Sequence, residues 1–275
     1  MSYGKSIELF LVDGTIDNIV TVELSNWSGK SIKIPRTEVI DCTREDFSST
    51  GVYLLFCKDD NDEDSVYIGE AENIKERLVQ HIRDYKSGKE LYYWHTAVCF
   101  IGRDLNKTLI RYLEDRLVKT ARDCEKYKVL TKNTYSKTVI KEAQVAMMDE
   151  FIDNIKIILG VLGYRVLVST PKANNQKDLL YLEAKGIKAT GIISPNGFTV
   201  LKGSQVAANT APSFDVLKYK SMRDALINDK VIVNNEFVKD YEFSSPSAAA
   251  SIVRGNSANG NVEWKNTSGV ALKDL

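Results

Sequence analysis

Hydrophobic and polar residues alternate along the first third of the chain, and this pattern predicts β-strands. The alternation runs through SIELFLVDG and NIVTVELSNWSGKSIKIPR, with turn residues between the apolar stretches. It continues in GVYLLFCK and DSVYIG, which an acidic segment, DDNDED, separates. These two stretches predict a β-hairpin with a long, solvated loop, and YYWHTAVCFI predicts one more buried strand.

Between these strands the period changes to that of amphipathic helices. Asn73 is a predicted N-cap, with Glu76 three residues later as the second half of a capping box. The apolar stripe of this helix is predicted to contain Ile74, Leu78, Ile82 and Tyr85. A second helix is predicted in LNKTLIRYLEDRLVKTARDCEK, with Leu105, Leu109, Leu113, Leu117 and Ala121 on one face.

A long apolar-periodic segment, predicted as a helix over residues 138–164, follows the strand-like VLTKNT. Gly163 and the polar stretch STPKANNQKD predict a boundary near Pro171. The remainder restarts with strands in KATGIIS and FTVLKGS, followed by a helix over 221–228 and a short strand near VIVNN. A last helix is predicted to be capped by Ser244 or Ser245, because Pro246 suits its first turn.

Together these elements predict an α+β fold with two domains. Residues 1–137 would form a small mixed β-sheet flanked by helices, with an N-terminal β extension. Residues 138–170 would form a helical connector, and residues 171–275 a second α+β domain. The length of 275 residues suits two domains of ordinary size.

Charge and composition narrow the function only slightly. Lys and Arg number 37, equal to the 37 Asp and Glu, so net charge gives no indication of nucleic-acid binding. A nuclease needs only a local basic surface, so this balance does not exclude one. With 43% hydrophobic residues the chain has ample core material, as is typical of a globular protein.

The cysteines and the N-terminus predict a soluble, cytoplasmic protein. Four cysteines stand far apart among apolar neighbours, which favours buried free thiols over a disulfide framework or a cysteine zinc site. No apolar run is long enough to span a membrane, and MSYGKSIELFLVDG lacks the pattern of a signal peptide. We therefore expect no membrane association.

Candidate chemistry comes from a set of residues in a particular order. GVY at 51–53 and YIG at 67–69 fall on the two strands of the predicted hairpin, and Arg77 falls on the helix that follows. Glu114 lies on the next helix and Asn133 just beyond it. Each of these residues alone is more typical of packing, a solvated helix face or a turn. Their order and spacing together favour a shared site.

Over roughly residues 48 to 135 this pattern resembles the GIY-YIG nuclease family. The resemblance implies a small mixed sheet flanked by helices and metal-assisted hydrolysis of a DNA phosphodiester bond. It also implies roles for individual residues. Tyr53 and Tyr67 would be the motif tyrosines, and Gly69 the motif glycine, where the chain turns close to the site. Arg77 would be the helix arginine with His81 one turn later, Glu114 the metal-binding glutamate and Asn133 the late asparagine. The first motif reads GVY instead of GIY, and the spacer between the motifs is longer than usual and acidic.

Phosphodiester hydrolysis explains these residue types. Mg²⁺ (or Mn²⁺) suits a single carboxylate such as Glu114, because Mg²⁺ keeps much of its hydration shell. Arg77 can bind two phosphate oxygens at once, which lysine cannot. A tyrosine can act as a base only if nearby cations lower its pKa, and Arg77 and Lys75 are the candidates for this. Tyr53, Tyr67 and His81 all remain possible bases, and of these we favour Tyr67.

The C-terminal half is similar to the restriction-enzyme-and-methylase-associated domain. The similar segment, FSSPSAAASIVRGNSANGNVEWKNTSGVAL, contains a Ser-Pro-Ser helix start, an Asn-Gly turn and Trp264. This resemblance implies DNA recognition. Candidate DNA contacts are Lys202, Arg254 and Lys265, because they flank turns where side chains can reach outward. Alternatively, Trp264 is a core residue and Asn259-Gly260 a hairpin turn.

The sequence therefore predicts a metal-dependent DNA endonuclease with a C-terminal targeting module. Two alternatives remain: a nucleic-acid-binding protein that no longer cuts, and a nuclease that acts on RNA. Protein partners, oligomeric state and sequence preference stay open.

Overall fold

The protein is described from a computed structural model covering residues 4–58, 63–132, 138–169, 178–212, 214 and 218–275. It divides into two compact units, residues 1–169 and 170–275. None of the helices in these described residues is long and apolar enough to cross a membrane. All four cysteines are buried free thiols.

The described residues of the first unit contain seven strands and three α-helices, as the alternating and helical patterns predict. The strands are β1 Ile7–Leu11, β2 Val20–Leu24, β3 Gly29–Pro35, β4 Gly51–Lys58, β5 Asp64–Ala71, β6 Trp94–Gly102 and β7 Lys128–Val129. The helices are α1 Ile74–Lys86, α2 Lys107–Cys124 and α3 Glu142–Val161. The strands form one sheet in the order β1-β2-β3-β6-β4-β5-β7. All neighbours are antiparallel except β5 and β7, which are parallel. The mixed sheet flanked by helices is therefore confirmed.

Strand β4 shows how the sheet divides its side chains between two cores. Val52, Leu54 and Phe56 pack with apolar residues of α2 and α3, whereas Tyr53 and Leu55 pack with apolar residues of α1. This follows from the alternation of side chains along a strand. Tyr53 thus faces α1, while Glu114 belongs to the helix on the opposite face.

The ends of α1 and α2 follow from their capping residues. Asn73 caps α1, and its side chain accepts a hydrogen bond from the backbone of Glu76 at 3.2 Å. Asn106 caps α2 and accepts hydrogen bonds from the backbone of Thr108 and Leu109. Each cap satisfies backbone N–H groups that the first helical turn leaves without partners. The Asn73 cap sets where α1 begins, and hence where Arg77 and His81 lie.

The helix predicted as a connector packs within the first unit. Met148, Phe151 and Ile155 of α3 are buried in the same core as the apolar face of α2. The helix begins at Glu142, four residues later than the periodicity predicts.

The second unit is a smaller α+β arrangement. Its strands are β8 Leu180–Ala184, β9 Ile187–Ser194, β10 Gly197–Val200, β11 Ile232–Val233, β12 Glu236–Phe237 and β13 Tyr241–Phe243. Its helices are α4 Lys218–Asn228, α5 Pro246–Arg254 and α6 Gly260–Glu263. The four-stranded sheet has the order β13-β10-β9-β8, and β11 pairs with β12 separately. The predicted second α+β region is present, although its first strand, β8, was not predicted.

Three residues of the second unit test what the sequence predicted for them. Ser245 caps α5 by accepting from the backbone of Ala248, with Pro246 in the first turn as predicted. Asn259 caps the short helix α6, so the expectation of an Asn-Gly turn or hairpin there was wrong. Trp264 is fully buried, and its indole N–H donates to the carbonyl of Pro246 at 3.0 Å, so it is a core residue.

Candidate active site

A polar pocket of about 440 Å³ opens where the end of β5 meets α1 and α2. Its lining includes Tyr53, Tyr67, Arg77 and Glu114, all of which the sequence predicted as site residues. Tyr53 comes from β4, Tyr67 from β5, Arg77 from α1 and Glu114 from α2. Four separate elements therefore bring these side chains to one place.

Gly69 makes room for Tyr53 in this pocket. It pairs with Tyr53 across the hairpin, and a Cβ atom added to Gly69 would lie 2.4 Å from the Tyr53 hydroxyl. The expectation that the chain turns at Gly69 was wrong, because β5 continues to Ala71. Position 69 needs glycine because the phenol of Tyr53 approaches it closely, and not because the chain turns there.

Arg77 connects the two tyrosines. Its Nε donates to the hydroxyl of Tyr53 at 3.3 Å, and its positive charge also acts on Tyr67. Burial acts to lower the pKa of Arg77, but the two phenols outweigh this and raise it above its ordinary value. The guanidinium therefore stays charged beside both hydroxyls.

Neither tyrosine has the lowered pKa that the sequence analysis expected. Burial raises the pKa of Tyr53 well above its ordinary value, and it raises the pKa of Tyr67 as well. The charge of Arg77 acts in the opposite direction but is too weak to reverse the effect of burial. The expected help from Lys75 is not found, because its Nζ donates to the carbonyl of Cys42 and it does not line the pocket.

His81 lies behind Tyr53 and is completely buried. Its Nε2 is 2.8 Å from the Tyr53 hydroxyl, and its Nδ1 is 2.5 Å from Oε1 of Glu90. A chain of hydrogen-bonding groups therefore runs from Glu90 through His81 to Tyr53. Of the two tyrosines, Tyr53 is therefore the one placed to exchange a proton with the histidine.

Glu114 is the pocket carboxylate that most resembles a metal ligand. The residue is 6% exposed, and its Oε2 is buried with no hydrogen-bond partner among the described residues. Burial, with the charge of nearby Glu70 as the next cause, raises the pKa of Glu114 to about 7. Lys107 and Arg77 act to lower this pKa but do not reverse the effect of burial, and a divalent cation would add positive charge beside the carboxylate.

The donor set suits Mg²⁺ or Mn²⁺ better than zinc. The described residues contain no group of three or more His, Cys, Asp or Glu side chains arranged to hold a metal ion. Structural and catalytic zinc sites use three or four protein ligands, whereas Mg²⁺ accepts one or two carboxylates and keeps several waters. Glu114, alone or with one neighbour, therefore offers the kind of oxygen ligand that a hydrated divalent ion accepts.

Two charged residues of the pocket, Glu70 and Lys107, were not predicted from the sequence. Glu70 directly follows the YIG motif, lies among the buried residues, and accepts a hydrogen bond from Nζ of Lys107 at 2.9 Å. Lys107, which opens α2, is also 3.8 Å from a carboxylate oxygen of Glu72. Alternation along β5 puts Glu70 on the same face as Val66 and Ile68, which was the sequence signal for a buried carboxylate.

The remaining predicted site residues lie elsewhere. Asn133 falls outside the residues that the structure describes. Lys202 and Lys265 are exposed on the second unit, where their backbone N–H groups donate to Asp240 and Tyr181. Arg254 pairs with Glu263 and lines a second pocket of about 670 Å³ within that unit.

Comparison with known proteins supports the division into two units. Residues 180–275 match the domain of unknown function DUF4357, so the likeness to the restriction-enzyme-and-methylase-associated type stays a prediction. No curated protein and no solved structure matches the chain. Residues 49–128, which contain Tyr53, Tyr67, Arg77 and Glu114, match the family model described as GIY-YIG catalytic domain. The first unit therefore contains a GIY-YIG domain, which supports a nuclease function and implies a nucleic-acid substrate.

Proposed function

We propose that the protein is a metal-dependent endonuclease that hydrolyses phosphodiester bonds in DNA. The observation that carries this proposal is the meeting of Tyr53, Tyr67, Arg77 and Glu114 in one pocket of the GIY-YIG domain. A phosphodiester needs positive charge beside its oxygens, a proton acceptor for the attacking water and help for the leaving oxygen. The pocket offers a side chain for each of these needs.

Arg77 is the proposed phosphate-binding residue. Its Nε is engaged by Tyr53, which fixes the plane of the guanidinium at the pocket wall. A guanidinium can present its other N–H groups to two phosphate oxygens at once. Arg77 would thus hold the scissile phosphate next to both phenols.

Glu114 is the proposed ligand of the divalent ion, with Glu70 beside it as a second carboxylate. The ion, when bound, would supply positive charge for the phosphate and stabilise the leaving oxygen. Glu70 is already paired with Lys107, so Glu114 is the carboxylate with an oxygen left for the metal. Glu114 is therefore proposed as the main ligand and Glu70 as the second, because of the contacts that each carboxylate makes.

Tyr53 is the proposed proton acceptor, in place of Tyr67 as favoured from the sequence. The oxygen of water would attack phosphorus and give its proton to the Tyr53 oxygen, while the phenolic proton passes to Nε2 of His81. The bond from phosphorus to the leaving oxygen breaks, and that oxygen keeps the electron pair and takes a proton from solvent. This exchange does not require a free phenolate, which the raised pKa of Tyr53 disfavours.

The second unit is proposed as the part that selects or holds DNA. Lys202 and Lys265 are exposed and can reach a phosphate backbone. Trp264 cannot contact a base from its buried position. Contact with DNA by this unit would therefore rely on its surface lysines and on the pocket that Arg254 lines.

Incubation of the purified protein with supercoiled plasmid tests the proposal. We expect nicked or linear DNA with Mg²⁺ or Mn²⁺ and none with EDTA. Parallel incubations with single-stranded and structured RNA test the RNA alternative, which preferential cleavage of RNA would favour. Binding of DNA without any cleavage under all metal conditions would favour the alternative of an inactive binding protein.

A further inference from the structure

Glu90 is a partly buried carboxylate outside the family motif, and its position behind the pocket suggests a role. It lies between α1 and β6, and its side chain is 16% exposed. Its backbone N–H donates to the carbonyl of Asp84, which fixes this segment against the end of α1. One carboxylate oxygen meets Nδ1 of His81 at 2.5 Å. The other is buried without a hydrogen-bond partner among the described residues.

The directions of the hydrogen bonds around Tyr53 follow from what each group can donate. An arginine side chain only donates, so the Tyr53 oxygen accepts from Nε of Arg77. The single phenolic proton of Tyr53 is then available for Nε2 of His81, 2.8 Å away. Nε2 must be unprotonated to accept it. A neutral imidazole in that arrangement carries its proton on Nδ1, the nitrogen that faces Glu90.

We propose that Glu90 is a positioning residue that holds His81 in the tautomer protonated at Nδ1, with the Nε2 lone pair directed at the Tyr53 hydroxyl. This inference rests on the proposed nuclease function for its consequence, the transfer of the phenolic proton to His81. A carboxylate that orients a histidine through its second nitrogen is a recurrent device in acid–base catalysis and at metal sites. Glu90 itself does not line the pocket, so it would act through His81.

The surroundings of Glu90 fit an acceptor that is held in place. Arg36, held against the rings of Tyr85, Tyr93 and Trp94, contributes positive charge at Glu90. Tyr92 stacks on Tyr67 with ring centroids 5.8 Å apart. The segment around Glu90 is thus anchored on both sides, so the carboxylate does not need to reorganise when a proton reaches His81.

¹⁵N NMR of the imidazole nitrogens tests the tautomer directly on the metal-free protein. The chain has only two histidines, and exposed His95 supplies an internal reference that His95→Gln identifies. We expect His81 near neutral pH to be protonated at Nδ1 and unprotonated at Nε2. A proton on Nε2, or on both nitrogens, would overturn the proposal without any substitution being needed.

Substitution of Glu90 tests whether this residue orients His81 or only packs against it. Glu90→Leu should move His81 away from the Nδ1-protonated tautomer and lower kcat by about 10- to 100-fold with KM little changed, the usual effect of losing such a partner. Glu90→Gln retains a carbonyl acceptor for Nδ1–H, so it should keep the tautomer and most of the activity. Glu45→Gln, at an exposed carboxylate of the same unit, is the control. An unchanged tautomer in the leucine variant would contradict the proposal.

The two proposals fail differently. A wild-type protein that cuts no nucleic acid would contradict the nuclease function, while the NMR result would still decide the role of Glu90 in orienting His81. Cleavage by a wild-type protein whose His81 has the other tautomer would contradict the role of Glu90 alone.

Discussion

The two units differ in where they bury ionisable groups. The first unit buries Glu70, His81 and Glu114 in or directly behind one pocket, and it also buries Arg36 against three aromatic rings. The charged residue that the second unit buries, Arg223, donates to the backbone carbonyls of Ile252 and Ala207. Arg223 therefore serves the fold, whereas the buried oxygen of Glu114 has no hydrogen-bond partner among the described residues.

Burying a charge without a partner destabilises a protein, so such groups persist where they have another use. This contrast supports the proposed catalytic site in the first unit, although the pocket described in the second unit has the larger volume. The predictions below test this contrast, beginning with the largest effect.

Removal of the Glu114 carboxylate should have the largest effect. Glu114→Gln keeps the side-chain shape but removes the metal ligand, so we expect cleavage to fall by more than about 10³-fold, a loss of several kcal/mol of transition-state stabilisation. Plasmid cleavage and calorimetric titration with Mn²⁺ would both show the loss. Asp123→Asn, at an exposed carboxylate of the same helix, should cut normally. Wild-type cleavage by Glu114→Gln would remove Glu114 from the site.

Trp264→Ala should affect stability in the second unit and leave the first unit's chemistry alone. Trp264 is fully buried against Phe198, with ring centroids 4.5 Å apart. Removing an aromatic core side chain costs about 3–5 kcal/mol. Denaturant unfolding of the full chain should show this loss, while Val262→Ala, at a residue 42% exposed, should change stability little. Equal stability of the tryptophan and valine variants would contradict the core role of Trp264.

Arg77→Ala should lower kcat by about 10²–10³, the cost of one preorganised donor. Arg77→Lys should restore little, because an ammonium cannot donate to Tyr53 and also bind two phosphate oxygens. Single-turnover cleavage measures both. Arg83, exposed on the same helix, provides matched Arg83→Ala and Arg83→Lys controls that should cut normally. Full activity of Arg77→Lys would reduce the role of Arg77 to simple charge.

The pKa of Glu114 predicts how the stability of the metal-free protein depends on pH. Because the folded-state pKa is about 7 and the ordinary value 4.5, the folded protein binds more protons than the unfolded chain between them. Stability should therefore fall as pH rises through that interval, by roughly 3 kcal/mol from this group. Glu114→Gln should lack this contribution in urea unfolding with EDTA. Parallel pH profiles for the variant and the wild type would contradict the raised pKa.

The sequence predicted the strands of the first sheet, the caps of α1 and α5 and four pocket residues, because each depends on local pattern or a motif. It did not predict Glu90 as the partner of His81, because a segment outside any motif meets α1 only in the folded unit. The raised pKa values of Tyr53 and Tyr67 were also missed. Burial raises each of these pKa values and the charge of Arg77 lowers it. The sequence does not show how deeply each tyrosine is buried, so it cannot show which effect is larger.

Neutralising two surface lysines of the second unit should have the smallest effect of these substitutions. It tests the proposed role of the second unit, as the substitutions at Glu114 and Arg77 test that of the first. Lys202→Gln with Lys265→Gln should leave folding unchanged, because both side chains are exposed and the backbone N–H groups that pair with Asp240 and Tyr181 are kept. If both lysines contact phosphates, the slope of log K against log[salt] for duplex binding by the full chain should flatten by about 1.8, or about 0.9 for each contact. Cleavage at saturating DNA should stay near wild type, since neither lysine belongs to the catalytic pocket. Lys273→Gln, at a lysine near the C-terminal end of the same unit, is the control for a general loss of charge. An unchanged salt slope in the double variant would remove these lysines from the proposed DNA surface and leave the pocket beside Arg254 as the next region of that unit to test.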